Sequence, residues 1–372
     1  MRSYLAFKSL PRILLRGFFC GVNQIKTTKF MQLALQNAQK GTGSTWTNPL
    51  VGAVIVKDQK VLATGYHHHF GGRHAEIDAL KNLAKSTDAQ GATMYVTLEP
   101  CSHFGKTPPC ARTLVKAGIS RVVIGQRDPN PLVAGKGIAI LTAAGIAVQI
   151  LGQTGGLNAA YNFFYEQHRP LVTLKYAMSL DGKINANAGV RSILTGEKAY
   201  ADSQLLRRSN QAILIGEHTF KVDDPLLTVR QTVPEFEPLR IILVNDADEI
   251  DLRARLFKAK APILLLSRRQ TQRKWPAGVE VHTKSDWKPK QILNLLADKG
   301  IQSLLVEGGS RIQADFIAAD VVEHLVVYVA PVIYGGGGLP AVFGTSAHRL
   351  AQYQLVDRKQ LAQDTRFELR RN

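Results

Sequence analysis

The sequence predicts two α/β domains in tandem. Short hydrophobic strands alternate with helix-period segments along most of the chain, which implies sheets covered by helices. The alternation is interrupted once, near Asn158 to Pro170. The chain is also 372 residues long, beyond the size that one hydrophobic core usually serves.

In the first half, Phe30, Met31, Ala34, Leu35 and Ala38 share helical spacing after Thr27 and Thr28, and the run stops at Gly41 and Gly43. Val51 to Val56 and Val61 to Thr64 read as a hairpin turned by Lys57-Asp58-Gln59-Lys60. A helix over His74 to Ala84, a buried strand over Thr93 to Leu98 and a helix over Ala111 to Ala117 follow. The pattern continues with a strand over Arg121 to Gly125, a helix over Gly137 to Ala144 and a strand over Ala147 to Leu151. A short aromatic helix with Tyr161, Phe163, Phe164 and Tyr165 leads into His168-Arg169-Pro170, where a second α/β pattern begins. Its strands are expected at Leu171 to Ala177, Ala212 to Ile215, Arg240 to Val244, Pro262 to Leu266, Ser303 to Val306 and His324 to Val329. The expected organisation is a basic extension over 1–29, one domain over 30–157 and another over 170–372.

Hydrophobic residues at 45% and charged residues at 20% supply packed cores and argue against disorder. No apolar run is long enough to span a bilayer, which leaves a soluble enzyme as the expected class. The net charge of +18, from 47 basic and 29 acidic residues, favours an anionic substrate or a polyanionic partner. It is concentrated early: the first acidic residue is Asp58, preceded by Arg2, Lys8, Arg12, Arg16, Lys26, Lys29, Lys40 and Lys57. Met1 to Lys29 has the composition of an organelle transit peptide, and a surface extension or an early start codon would give the same composition. Cys20, Cys101 and Cys110 are too few and too odd in number for a secreted disulfide framework, so a reducing, cytoplasmic compartment is expected.

The residues richest in chemistry are His74-Ala75-Glu76, Glu99-Pro100-Cys101 and Cys110. One imidazole and two thiolates suit zinc, and three protein ligands leave a fourth position for water, whose pKa falls from about 15.7 to about 7 there. Glu76, two positions after the histidine, is placed to carry a proton from that water to a departing amine. This order, H-x-E and then P-C, is that of zinc nucleobase deaminases, in which the glutamate is not a ligand. Taken singly, such a histidine is a surface group and such cysteines are small buried hydrophobes. Their joint occurrence at a strand-to-helix junction is what favours metal. His67, His68 and His69, at the hairpin end, read as substrate-contacting or solvated side chains, not as a second metal site.

In the second half, Leu174 to Lys183 passes from a strand into a turn, and such strand ends hold ligands in α/β sheets. Asp181-Gly182 is also ordinary turn punctuation. Asp223-Asp224-Pro225-Leu226-Leu227-Thr228-Val229-Arg230 sets paired carboxylates beside an arginine, and it reads equally as a solvated acidic turn. Leu305 to Arg311 runs from a strand through Gly308 and Gly309 into a helix, where backbone N–H groups and the helix dipole favour phosphate. It is neither a P-loop nor a complete G-x-G-x-x-G.

The run Cys101-Ser102-His103-Phe104-Gly105-Lys106-Thr107-Pro108-Pro109-Cys110 departs from the C-x-x-C spacing of generic nucleoside and nucleic-acid deaminases. Together with Asn48-Pro49-Leu50-Val51-Gly52, Gly65-Tyr66-His67, His74-Ala75-Glu76, Val96 to Cys110 and Asp128-Pro129-Asn130-Pro131, it resembles the bifunctional riboflavin biosynthesis deaminase–reductase family, from about Phe30 to the C-terminus. The resemblance implies an N-terminal cytidine-deaminase-like three-layer α/β/α domain and a C-terminal dihydrofolate-reductase-like α/β domain. It implies zinc on His74, Cys101 and Cys110, with Glu76 as proton donor and acceptor and with Asn48 and His67 lining a pyrimidine pocket. It also implies NADPH against Lys175, Ala177, Ile193, Thr219, Asp223, Asn245 and the run Gly309, Ser310, Arg311, Ile312, Gln313, Ala314 and Asp315. Substrate would meet Arg191, Arg207, Leu227, Arg230 and Glu307, and a forked guanidinium suits a ribose phosphate. Asp223 and Lys175 are both candidates for the reductase proton donor.

Two departures stand out. The family usually has proline before the asparagine, where this chain has Thr47, which removes a rigid residue from the loop without touching the chemistry. In Arg191-Ser192-Ile193, many relatives carry serine and tryptophan at the first and third positions.

The implied activity is zinc-dependent hydrolytic deamination of 2,5-diamino-6-(5-phosphoribosylamino)pyrimidin-4-one to 5-amino-6-(5-phosphoribosylamino)uracil, followed by NADPH-dependent reduction of the ribosyl group to ribityl. The implied partners are this small phosphoribosylated pyrimidine and further copies of the chain in a homo-oligomer, with no nucleic acid and no membrane. The positive charge alone would also fit a zinc deaminase acting on tRNA bases, which predicts salt-dependent polynucleotide binding but leaves the second domain without a role. The departures at Arg191 and Ile193 would also fit a pathway scaffold with an inactive reductase half.

Overall fold

The computed structural model describes residues 29–102, 108–187, 189–190, 192–230, 235–344 and 351–371; most of the basic extension, together with Arg191, lies outside the described residues. The first domain contains α1 (Lys29–Ala38), β1 (Gly52–Lys57), β2 (Lys60–Tyr66), α2 (Ala75–Lys81), β3 (Thr93–Leu98), α3 (Cys110–Lys116), β4 (Arg121–Gln126), α4 (Lys136–Ala143), β5 (Ala147–Ile150) and α5 (Ala159–Gln167). Its sheet has the order β2-β1-β3-β4-β5, antiparallel across β2, β1 and β3 and parallel from β3 to β5. The hairpin expected at Lys57 to Lys60 closes with Asp58 and Gln59 both at positive φ, 49° and 61°. Two left-handed residues give a turn that twists with its strands.

Strand periodicity divides the apolar side chains between two faces. Ala53 and Ile55 join Met94, Val96, Val122 and Ile124 against Ala75, Ala79, Ala111, Leu114 and Leu141. Val54, Val56 and Val123 face the other way, against Phe30, Met31 and Ala34 of α1. The sheet is therefore the middle layer of three. At Gly52 the two layers almost touch, because a Cβ there would lie 2.0 Å from the Ala34 carbonyl oxygen. Helix α5 is bonded to this domain: Tyr161 donates to Asp128 at 3.0 Å, and Asn162 and Gln126 exchange amide hydrogen bonds at 2.9 and 3.2 Å.

The second domain contains β6 (Leu171–Ser179), β7 (Lys183–Asn185), α6 (Glu197–Arg208), β8 (Ala212–Gly216), α7 (Glu217–Asp223), β9 (Leu239–Val244), β10 (Ile263–Ser267), β11 (Val279–Thr283), α8 (Pro289–Asp298), β12 (Ser303–Val306), α9 (Ser310–Ala318), β13 (His324–Ala330), β14 (Leu339–Pro340), β15 (Tyr353–Leu361) and β16 (Asp364–Arg371). The large sheet runs β11-β10-β9-β8-β12-β6-β13-β16-β15 and is parallel as far as β13, while β7 and β14 form a small ribbon. Its central strands are the apolar runs legible in the sequence, with Leu214, Leu264, Leu265, Leu266, Leu304, Leu305 and Val306 all fully buried, as strands covered on both faces require. No helix among the described residues is long and apolar enough to cross a membrane.

Replacing Gly52 by alanine should force β1 and α1 apart. The expected loss is about 1–3 kcal/mol, typical of overpacking, read as a lowered denaturant midpoint in the first domain.

Candidate active sites

Three separate segments bring the candidate metal ligands together. His74 is the last extended residue before α2, Cys101 follows β3, and Cys110 opens α3. His74 Nδ1 lies 3.4 Å from the Cys101 sulfur and 3.3 Å from the Cys110 sulfur, and the Cys110 N–H donates to the Cys101 sulfur at 3.3 Å. All three ligand atoms lie within 4.8 Å of one another. One nitrogen and two sulfurs this close fit a single tetrahedral zinc with one position left over. Glu76, in the first turn of α2, is 3% exposed.

Hydrogen bonds among the three residues shift their protonation in different directions. Hydrogen bonding from Cys110, with His74 adding to it, lowers the Cys101 thiol to about 4, against the effect of burial. Its bond to Cys101 raises His74 to about 9, and burial pushes the Glu76 carboxyl up to about 7. Cys110, bonded to the Cys101 sulfur and buried, is pushed well above the usual thiol range. A thiolate and a buried carboxyl share this small space, and a divalent cation would neutralise them.

Glu99, which sequence reasoning noticed only as part of the Glu-Pro-Cys run, organises the approach. Its carboxylate accepts backbone N–H bonds from Asp128, Gly135, Gly137 and Ile138 at 3.0 to 3.3 Å, which ties the start of α4 beside the metal-ligand segment. At Gly137 any Cβ would fall 1.9 Å from the Pro100 carbonyl oxygen. The geometry explains the sequence here: only glycine lets α4 come this close.

Asn48 and His67 meet beside the metal ligands. His67 Nδ1 lies 2.8 Å from the Arg73 carbonyl, so it carries the proton, and Nε2, 3.1 Å from Asn48 Nδ2, is the acceptor. Burial lowers the His67 pKa and keeps this neutral tautomer. The His67 and His74 rings stand edge to face at 5.7 Å. His68 instead stacks on Tyr66 and bonds Asp78 at 2.9 Å.

In the second domain, Arg207 of α6 grips Glu307 with two bonds, 2.9 and 2.5 Å, at the end of β12. Lys175 of β6, half-buried, lies over the Tyr328 ring at 5.5 Å. Burial pushes its ammonium below the usual lysine range while Glu307 pulls the other way. Arg230 stands over the Tyr200 ring at 5.1 Å, and its backbone N–H donates to Gln204 Oε1 at 3.1 Å. Leu227 is buried at φ 54°, in a loop whose Leu226 carbonyl accepts from Arg240 at 3.2 Å. Arg240, fully buried, also donates to the carbonyls of Leu256, Ala259 and Ala261, a support that sequence reading did not detect.

The strand–glycine–helix expectation around Gly309 matches β12 and α9. A Cβ on Gly308 would meet Ile215 at 2.8 Å, and one on Gly309, φ 85°, would meet the Thr219 hydroxyl at 3.3 Å. Thr219 and Gly309 are therefore neighbours, and Asp223 closes the same helix α7 that carries Thr219. The side chains of Ile312, Gln313 and Ala314 are buried, whereas Arg311 and Asp315 are exposed. Ser310 donates to the Pro340 carbonyl at 2.5 Å. Ala177 lies on β6, Asn245 is exposed just past β9, and Ile193 is 83% exposed. Arg191 lies outside the described residues.

Replacing Arg207 by methionine should leave the Glu307 carboxylate buried without its partner and cost about 3–5 kcal/mol, with most of it recovered in Arg207→Met/Glu307→Gln. Burial opposes Glu307 ionisation, but Arg207 holds the carboxyl below the usual glutamate range. The stability this contributes is present above about pH 4.3 and is lost as pH falls through the depressed native value. Denaturant titrations across pH 3 to 7 would show the gap between wild type and Arg207→Met closing at the acid end, where Glu307 is protonated in both.

The sequence model of the RibD C-terminal domain matches residues 170–367, and that of the cytidine and deoxycytidylate deaminase zinc-binding region matches residues 24–126. Riboflavin biosynthesis protein RibD of Bacillus amyloliquefaciens is 41% identical over 323 residues, covering 84% of this chain and 86% of its own. RibD of Escherichia coli is 35% identical over 325 residues, covering 82% and 88%. Among solved structures, Acinetobacter baumannii RibD superposes with a TM-score of 0.84 at 34% identity, covering 92% of this chain and 98% of that one. A diaminohydroxyphosphoribosylaminopyrimidine deaminase/5-amino-6-(5-phosphoribosylamino)uracil reductase from Thermotoga maritima gives 0.83 at 33%, with the same coverage. A tRNA-base deaminase is not favoured, because the match to the second domain has no role in it. With both domains matched, in order and at this coverage, the chain belongs to the RibD family of bifunctional riboflavin biosynthesis enzymes, deaminase first and reductase second.

Proposed function

We propose that the first domain hydrolyses the 2-amino group of 2,5-diamino-6-(5-phosphoribosylamino)pyrimidin-4-one, and that the second reduces the ribosyl group of the resulting 5-amino-6-(5-phosphoribosylamino)uracil to ribityl. The observation that carries this reading is the gathering of His74, Cys101 and Cys110 within 4.8 Å beside buried Glu76, in one chain with the half-buried Lys175, Arg207 and Glu307 cluster. The deaminase unit is taken to run through α5, whose side chains bond Asp128 and Gln126.

In the first step, Asn48 and His67 orient the pyrimidine ring against the ligand group. Zinc on His74, Cys101 and Cys110 supplies Lewis acidity for the attacking water when bound. Glu76 takes a proton from that water and delivers one to the departing nitrogen, so water adds at C2, the C–N bond breaks, and ammonia and a carbonyl remain. Glu76, 3% exposed in the first turn of α2 and two residues after His74, stands where such a shuttle is needed.

In the second step, NADPH supplies hydride when bound. The amides at the start of α9, after Gly309, and the Thr219 hydroxyl offer donors for its phosphates. Arg207, Arg230, Glu307 and Leu227 frame the sugar phosphate, with Lys175 or Asp223 delivering the proton. Ala177, Ile193, Asn245, Arg311 and Asp315 are held as further cofactor contacts, and Arg191 as a further substrate contact. The chain is taken to work in the cytoplasm as a homo-oligomer on a free nucleotide, without nucleic acid or membrane.

Glu76→Gln should keep its zinc by elemental analysis while ammonia release falls about 10²- to 10⁴-fold, the range for loss of a general acid–base. Cys101→Ala should lose zinc and ammonia release together. Wild-type ammonia release from Glu76→Gln would contradict the assignment.

A further inference from the structure

The loop that delivers Asn48 to the deaminase pocket leans on the other domain. Arg208 donates to the Thr42 carbonyl at 3.2 Å, Gln211 Nε2 to the Trp46 carbonyl at 2.9 Å, and Gln302 Nε2 to the Thr47 carbonyl at 3.1 Å. The two glutamines are themselves locked: the Gln302 N–H donates to Gln211 Oε1 at 2.7 Å, and the Gln211 N–H to the Ser303 hydroxyl at 2.9 Å. The Trp46 ring packs on the second domain's core and lies 5.4 Å from the Phe236 ring.

These contacts hold a backbone that would not keep its shape alone. Trp46 has φ 51°, a left-handed conformation that is strained for a bulky side chain and persists only when its surroundings over-determine it. The residue before Asn48 is Thr47, with no proline ring to fix it. The two carbonyls that receive the glutamine bonds are those immediately before Asn48, so relaxation at Trp46 would rotate that peptide and move the Asn48 amide off His67.

We propose that Gln211 and Gln302 are positioning residues for the deaminase: the reductase domain sets the pyrimidine pocket of the other domain. The proposal rests on the reading that Asn48 lines that pocket. Gln302 precedes β12 and Glu307 follows it, so the glutamines stand at the opposite end of the strand from the reductase site. A change at the glutamines therefore separates the two activities.

The test is the full-length Gln211→Met/Gln302→Met variant, whose side chains match glutamine in length but cannot donate. The expected result is a rise of about 10- to 100-fold in deaminase KM, as for a misplaced binding group. Zinc content should be unchanged, as should kcat/KM for reduction of the deaminated nucleotide. Hydrogen exchange at the Asn48 amide, which donates to Thr45 at 2.9 Å, should quicken without any substrate present. That readout stands even if the deaminase reading itself fails, which ammonia-free wild-type protein would reveal. Unchanged exchange and unchanged deaminase KM overturn the proposal, as does a parallel loss of both activities and of zinc, which would mark a general folding role. Should the double variant fail to fold, Gln211→Met alone is read by the same measures.

Discussion

The gathering of His74, Cys101 and Cys110 depends on a close approach of backbones. Cys101 leaves β3 and Cys110 opens α3, and both reach His74 at the start of α2 only because neighbouring elements pack without side chains between them. Gly137 passes 1.9 Å, as a Cβ would measure it, from the Pro100 carbonyl, and the four N–H bonds to Glu99 hold α4 in that position. Gly65 plays the same part under α2, where a Cβ would lie 2.3 Å from the Ala79 nitrogen. The packing of the sheet and its helices thereby sets where these three side chains stand, and Glu76 is buried beside them.

The second domain is organised by buried charge. Arg207 and Glu307 neutralise each other beside Lys175, and Arg240 spreads its donors over four carbonyls under the Leu227 loop. Arg366 bonds Glu368 at 2.7 Å and lies 3.2 Å from Asp202, which also receives the Tyr328 hydroxyl. Such clusters fix geometry at some cost in desolvation. Paired in this way, the guanidinium forks are held in fixed orientations.

The parts of the fold legible in the sequence are those built from apolar periodicity. β1, β3, β6, β8, β9, β10, β12 and β13 are hydrophobic runs, and the hairpin turn was marked by its polar residues. β15 and β16 were not legible because Asp357, Arg366 and Glu368 occupy positions where alternation would show hydrophobes, and ion pairs take their place in the core. The His74, Cys101 and Cys110 cluster was legible because zinc-type chemistry calls for particular residue types in a particular order. Glu99, Arg240, Gln211 and Gln302 were not, since each acts through backbone carbonyls or N–H groups of distant segments, which leaves no local pattern. The positive φ at Trp46 is equally silent in the sequence, where a glycine would have signalled it.

The order of the two reactions is the claim on which the rest converges, and a two-step assay on the purified chain tests it. The diaminopyrimidine nucleotide is supplied first and ammonia is measured; NADPH is then added and its absorbance followed. The account predicts ammonia release without NADPH, and NADPH oxidation only once deaminated product has formed. NADPH oxidation with the amino group still in place, or no ammonia at all, would contradict it.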